Sequence, residues 1–190
     1  MKIEIKIKYL YFIIIIPIIF IVALLFFLNS NNNGITSASA LELKFNELSN
    51  ENTNQCAGIN YIYDKPEDAS LQGSCCSPME FHRYEEQVNG LNNLREKYSY
   101  LGKDLRIIPD DPYDIEVSLA KELLEYQKNI QLTTEEQAIY DEAVKMSHEG
   151  GPCCCKCWRW YAFEGQAKKL ITDYGFNSEQ IAELWDIEDG

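Results

Sequence analysis

"GKDLRIIPDD", residues 102–111, decides how the helices of this 190-residue chain are arranged. Before it, Phe81, Tyr84, Val88, Leu91, Leu94, Tyr98 and Leu101 recur at gaps of three and four, the apolar stripe of a long helix. Ser77-Pro78-Met79-Glu80 supplies a capping serine, a proline at the first helical position and a glutamate at the third, so the helix is expected to start there and to close at Gly102. After it, Asp111-Pro112-Tyr113-Asp114 offers a second start, which can slip to Ser118, with Leu119, Leu123, Tyr126 and Ile130 as the next stripe. A tight turn between the two would make them antiparallel. The connection is instead long enough to run back along the first helix, and its "LRII" core reads as a segment lying on an apolar surface. A crossover with the first two helices parallel is therefore expected.

Working outward, Thr133-Thr134-Glu135-Glu136 is a capping box for a third helix carrying Ile139, Ala143 and Met146, and Gly150-Gly151-Pro152 is a stop. A fourth helix begins among cysteines, turns Trp160, Phe163, Ala167, Leu170 and Tyr174 inward, and ends at Gly175 with Phe176 beyond it. Asn177-Ser178-Glu179-Gln180 caps a last short helix through Trp185. No strand pattern is legible after residue 76, and no repeat at a solenoid period. The fold class expected is all-α: an N-terminal transmembrane helix followed by a small bundle of four main helices and a short C-terminal one.

The N-terminal expectation rests on residues 9–28, "YLYFIIIIPIIFIVALLFFL", twenty apolar or aromatic residues without a charge. Pro17 is tolerated in such a helix. Lys2, Lys6 and Lys8 precede it and no basic residue follows until Lys44, so residues 1–8 form a cytoplasmic basic tip and the rest is extracytoplasmic. A cleaved secretory signal is the alternative, with Ala38-Ser39-Ala40 as its cleavage pattern, but the apolar run is long for one and that site lies far beyond it. Residues 29–55, rich in Asn, Ser and Thr, read as a tether, with "ALELKFNEL" as a helical turn or two, and 56–190 as one cysteine-rich helical domain. The net charge of -13 would repel phosphate backbones, which excludes nucleic acid as a partner.

Seven cysteines fall in two groups. Cys56, Cys75 and Cys76 precede the first helix, and Cys153, Cys154, Cys155 and Cys157 straddle the start of the fourth. Helix N-termini favour thiolates, the form that binds soft metals. Adjacent Cα atoms, about 3.8 Å apart, are closer than the roughly 4.4 Å that a relaxed disulfide needs, so neighbours such as Cys154 and Cys155 should not bond to each other. Three readings stay open. Cys153, Cys154, Cys155 and Cys157, with Cys75, Cys76 and His148 from the same pole, would make a thiolate-rich site for zinc or copper(I). The plainer reading, preferred over a ligand role, has His148 complementing the dipole at a helix C-terminus and His82 on a solvated surface. Disulfides, such as one from Cys75 to Cys153 worth about 4 kcal/mol, would make a stabilised non-catalytic interaction module. Cys154 and Cys157 form a CxxC, the spacing of a thiol redox pair, without the strand-helix-strand context that usually accompanies it. In an up-down bundle the two groups would lie about 30 Å apart, whereas the crossover brings them together. Trp158 or Tyr161, which do not both fit the inward stripe, is a candidate cover for the sulfurs.

Pro152-Cys153-Cys154-Cys155-Lys156-Cys157 resembles the PCxCxC pattern of the PCYCGC-motif lipoproteins, extracytoplasmic proteins without an established function. The "AKKLITDYGFNSEQIAELWD" that follows is similar in style to the family, so the likeness covers roughly the last third of the chain. Cys154 replaces a tyrosine, Lys156 a glycine, no later CxxC follows, and no lipid-attachment cysteine lies near the apolar run. The resemblance implies an exported, cysteine-rich helical protein. No phosphate-binding loop, nucleophile elbow, zinc-protease helix or haem motif is present, so the chain is not read as an enzyme.

Overall fold

Residues 105–113 run back along the first long helix. In the computed structural model, which describes residues 40–101 and 105–189, that helix, α2, spans Phe81–Tyr98, after a single turn α1 at Asn60–Tyr63. Leu105, Ile107 and Ile108 are buried. Arg95 reaches the Ile108 carbonyl and Asp110, while nearer the start of the helix the Tyr84 hydroxyl donates to Asp111 (2.7 Å) and the Tyr113 hydroxyl to Gln87 (2.8 Å). The order of these contacts is opposite to the direction of α2, so the chain returns to the end where α2 began. There Asp114–Glu116 (β2) pairs antiparallel with Ser70–Gln72 (β1), with Leu71 opposite Ile115 and both buried.

That ladder corrects the reading of no strands after residue 76 and of a helix start at Asp111. Three-residue strands are too short to show a period of two. Helix α3 starts at Val117, whose N–H donates to the Ala69 carbonyl at 2.9 Å, and runs to Asn129. Helix α2 also starts later than its Ser77 signal: Glu80 is the extended residue before the first turn and caps nothing with its side chain. The reason is tertiary. Residues 73–80 are drawn out of helical geometry by Gly73, which donates to the Tyr113 carbonyl, and by the cysteines at 75 and 76, which turn toward the other sulfurs. Gly102, the expected end, lies outside the described residues; Ser99–Leu101 closes α2 as a 3-10 turn.

The two remaining capping boxes form as written. Thr133 Oγ1 accepts from the Glu136 N–H and the Glu136 carboxylate accepts from the Thr133 N–H, starting α4 at Thr134–Met146. Asn177 and Gln180 do the same for α6, Ser178–Glu188, which continues past Trp185. Between them α5, Trp158–Lys169, widens into a π turn at Leu170–Tyr174 and stops at Gly175 (φ 71°), where the Phe176 N–H returns to the Leu170 carbonyl at 3.1 Å. Along α5, Gly165 lies against the Leu123 carbonyl and the backbone of Gln127, so close that no Cβ fits. Lys168 caps the Gln127 carbonyl one turn later, so α3 and α5 run side by side in the same direction. Tyr98 and Phe176 stack at the far end (ring centroids 4.7 Å apart), and Tyr140 meets Trp185 edge-on.

The compact unit is Phe45–Gly190, so it includes part of the segment read as tether. Leu48 is fully buried, Phe45 packs on Phe81 and Tyr84, and the buried Asn54 donates to the Gly73 carbonyl (2.8 Å). The apolar stretch at residues 9–28 lies outside the described residues; among those described, no helix is long and apolar enough to cross a membrane.

Candidate metal centre

Three chain segments deliver sulfur to one end of the domain. The first is residues 55–57, pinned to the start of α5: the Trp158 N–H donates to the Ala57 carbonyl (2.8 Å) and the Trp158 indole N–H to the Gln55 carbonyl (3.0 Å), which places Cys56. The second is the extended 73–80 segment, with Cys75 and Cys76. The third enters through the Gly150-Gly151-Pro152 turn, whose Gly151 N–H donates to the Ser147 hydroxyl (2.8 Å). Gly150 (φ 69°) and Gly151 (φ 150°) both hold backbone conformations that favour glycine, and a Cβ on Gly151 would run into the Trp160 ring. The turn therefore admits Cys153 to Cys157 in one direction only.

The seven sulfurs sort into sets of three whose members all lie within 4.8 Å of one another. Cys75, Cys153 and Cys157 form an inner set, with Cys153 and Cys157 buried. Cys56, Cys76 and Cys155 form an outer set at the surface. Cys153, Cys154 and Cys155 form a third, joining the two. Approaches within the pole include 3.1 Å between Cys56 and Cys155, 3.4 Å between Cys75 and Cys76 and between Cys154 and Cys76, and 3.7 Å between Cys76 and Cys155. All seven are free thiols. The bridge from Cys75 to Cys153 considered above is not formed; the two sulfurs lie with that of Cys157 in one set. Cys154 and Cys157 share no set, so the CxxC spacing does not bring its own two sulfurs together here. Three sulfurs around one ion at about 2.3 Å would be spaced by about 4 Å, so these sets can close on a metal with small side-chain movements.

Electrostatics differ across the cluster. The thiols of Cys153 and Cys75 hold Cys157 well below the ordinary cysteine value, and the first-turn N–H groups of Arg159 and Trp160 add to the effect against the cost of burial. Cys75 is pushed up because it donates to Cys153 and Cys157, and Cys155 is pushed up by burial and by Cys56. Burial also raises Cys76 and Cys154.

Beside the inner set lies Arg159, wholly buried. One guanidinium nitrogen donates to the Glu188 backbone carbonyl and the group sits over the Phe163 ring, but Nε and Nη1 have no hydrogen-bond partner. Its positive charge acts on Cys75 and Cys153. The Glu188 carboxyl, equally buried, accepts from Gln166 (2.7 Å) and is pushed by burial up to about 8.

The sulfur positions expected to converge do so, and one more joins them: Cys56, which carries no motif and comes from the irregular lead-in. His148 lies outside every set; its backbone N–H donates to Asp186 (2.8 Å) across the stop turn. His82 is exposed beside Glu86. Trp158, fully buried at the head of α5, replaces Trp160 as the inward residue, and Trp160 lies half-buried against Gly151 with Lys156 over its ring. Arg159 was not legible as a site residue. Its one signal is a charge between two tryptophans within the apolar and aromatic "WRWYAF". A larger hollow of about 630 Å³ between Arg95 and Tyr174 contains neither cysteine nor histidine.

Comparison of the chain with protein-family profiles, with curated protein sequences and with solved structures finds no match.

Proposed function

We propose that this domain binds a soft, thiophilic metal ion through the seven-cysteine pole, as zinc or copper(I) thiolate chemistry. The observation that carries the reading is the convergence of sulfurs from three separate segments into mutually close sets of three, at the cost of interrupting a well-signalled helix start at Ser77. Stitching by disulfides needs pairs, and the inner set is a triangle. The apolar stretch at residues 9–28, flanked by Lys2, Lys6 and Lys8, supports placing the domain on the outer face of a membrane, and the PCxCxC likeness points to the same compartment. The acidic net charge supports attraction of cations to the surface.

Purified under anaerobic, reducing conditions without chelator, the chain is expected to carry at least about one equivalent of copper or zinc by elemental analysis, and Cys153→Ser with Cys157→Ser to lower that content. Metal-free protein whose thiols are consumed in bridges, starting with the exposed Cys56 and Cys155, would instead establish the interaction-module reading. A CxxC cycling with a mild dithiol would establish the redox reading.

A further inference from the structure

We infer that the cluster is a two-compartment copper(I) site: the outer sulfurs accept the ion from solution or a donor, and the inner triangle retains it. This rests on the soft-metal reading and specifies the ion and its route. The ion follows from coordination number. Every cysteine and histidine of the chain lies among the described residues, and no set offers a fourth sulfur or an imidazole. Structural zinc is almost always four-coordinate, whereas soft copper(I) is satisfied by two or three thiolates.

Retention follows from the inner environment. Cys153 and Cys157 are buried, Trp158 beside Cys157 is fully buried as well, and Arg159 brings a buried positive charge with two unpartnered nitrogens. A copper(I) trithiolate is an anion, and a guanidinium fixed beside it offsets the cost of burying that charge. Arg159 Nε and Nη1 have no hydrogen-bond partner, and the Glu188 carboxyl oxygen that is bonded is turned toward Gln166, so the guanidinium has donors left for an anion on the sulfur side.

Uptake follows from the outer environment. A cleft of about 440 Å³ opens onto Cys76 and Cys154, and Glu80, Glu149 and Asp189 stand at its mouth with Arg83. Three carboxylates against one guanidinium concentrate cations there. Between outer and inner sulfurs the chain supplies two short steps, Cys76 to Cys75 at 3.4 Å and Cys155 to Cys153 through the set containing Cys154. Copper(I) passes by ligand exchange, one thiolate binding before another leaves. Each newly bound thiol releases its proton to water, each thiolate left behind takes one up, and the metal keeps its oxidation state.

The test uses the full-length chain in detergent, reduced, anaerobic and loaded with copper(I), then challenged with excess of a copper(I)-specific chromogenic chelator. Two kinetic classes are expected, differing at least tenfold in rate. The double variant Cys56→Ser, Cys76→Ser should lose the fast class and load the slow one more slowly. Cys75→Ser and Cys157→Ser should each leave two inner thiolates and speed release of the slow class at least tenfold, and Arg159→Gln should speed it at least threefold. Circular dichroism confirms that each variant is folded; should Cys157→Ser unfold, Cys75→Ser decides alone. A single release phase, or loss of the slow class in the outer double variant, overturns the two compartments while leaving soft-metal binding intact. Failure of the wild-type chain to bind copper(I) overturns the copper site, and failure to bind zinc as well overturns the functional reading itself.

Discussion

Two helix starts in this molecule are built on opposite plans. At α4, Thr133 and Glu136 satisfy each other's backbone within four residues, at the surface, without help from elsewhere. At α5, Cys157 occupies the same extended capping position with a sulfur in place of an oxygen; that sulfur faces the first-turn N–H groups of Arg159 and Trp160 and is shared with Cys75 and Cys153, and Arg159 two residues on is buried with two nitrogens unpaired. The first start is complete in its own sequence. The second is incomplete until distant segments, and on our reading a metal ion, are added.

The largest effect expected from breaking this contrast is at Glu188. Its folded carboxyl titrates at about 8 against about 4.5 unfolded, because burial disfavours its charge. A raised carboxyl is fully accommodated below pH 4.5; between 4.5 and 8 the unfolded chain ionises first and stability falls, by up to ~1 kcal/mol per pH unit. Glu188→Gln removes that dependence and keeps an acceptor for Gln166. Urea melts should therefore show the variant gaining on wild type steadily from pH 5 to pH 8, and parallel curves would show that Glu188 ionises freely. Next is Gly151→Ala, which forces a Cβ into the Trp160 ring at a backbone conformation that favours glycine. A loss of ~2 kcal/mol in thermal or urea unfolding is expected, together with reduced metal content, since the same turn delivers Cys153 to the pole. Smallest is Thr133→Ala, which removes one exposed cap for ~1 kcal/mol and should leave metal stoichiometry unchanged, because nothing in that capping box touches the sulfurs. An effect of Thr133→Ala on metal content would show that the two starts are coupled.

Where sequence reading succeeded, the information was local. The capping boxes at Thr133 and Asn177, the stop at Gly175 and the stripe from Tyr84 to Tyr98 are each decided by residues within a few positions of one another, and each appears at the expected place. Ser77-Pro78-Met79-Glu80 has equally good local chemistry and still fails, because Cys75, Cys76 and Gly73 hold this segment extended against partners far along the chain. The inward face of α5 shows the same override. Trp160 fits the periodic stripe, yet Trp158 is the buried one, because the backbone of residues 55–57 lies across it and bonds both its N–H groups.

By itself, then, the sequence determined a helical chain with two sulfur-bearing helix starts and a connection long enough to reunite them, since periodicity, capping and reach are properties of neighbouring residues. Only the tertiary structure decided that the sulfurs form triangles, that Cys56 joins them, that His148 does not and that Arg159 is buried at their back. Those outcomes depend on which distant segments meet at the head of α5, and such meetings are set by the packing of Leu105, Ile107 and Ile108 along α2 and of the short ladder beyond it.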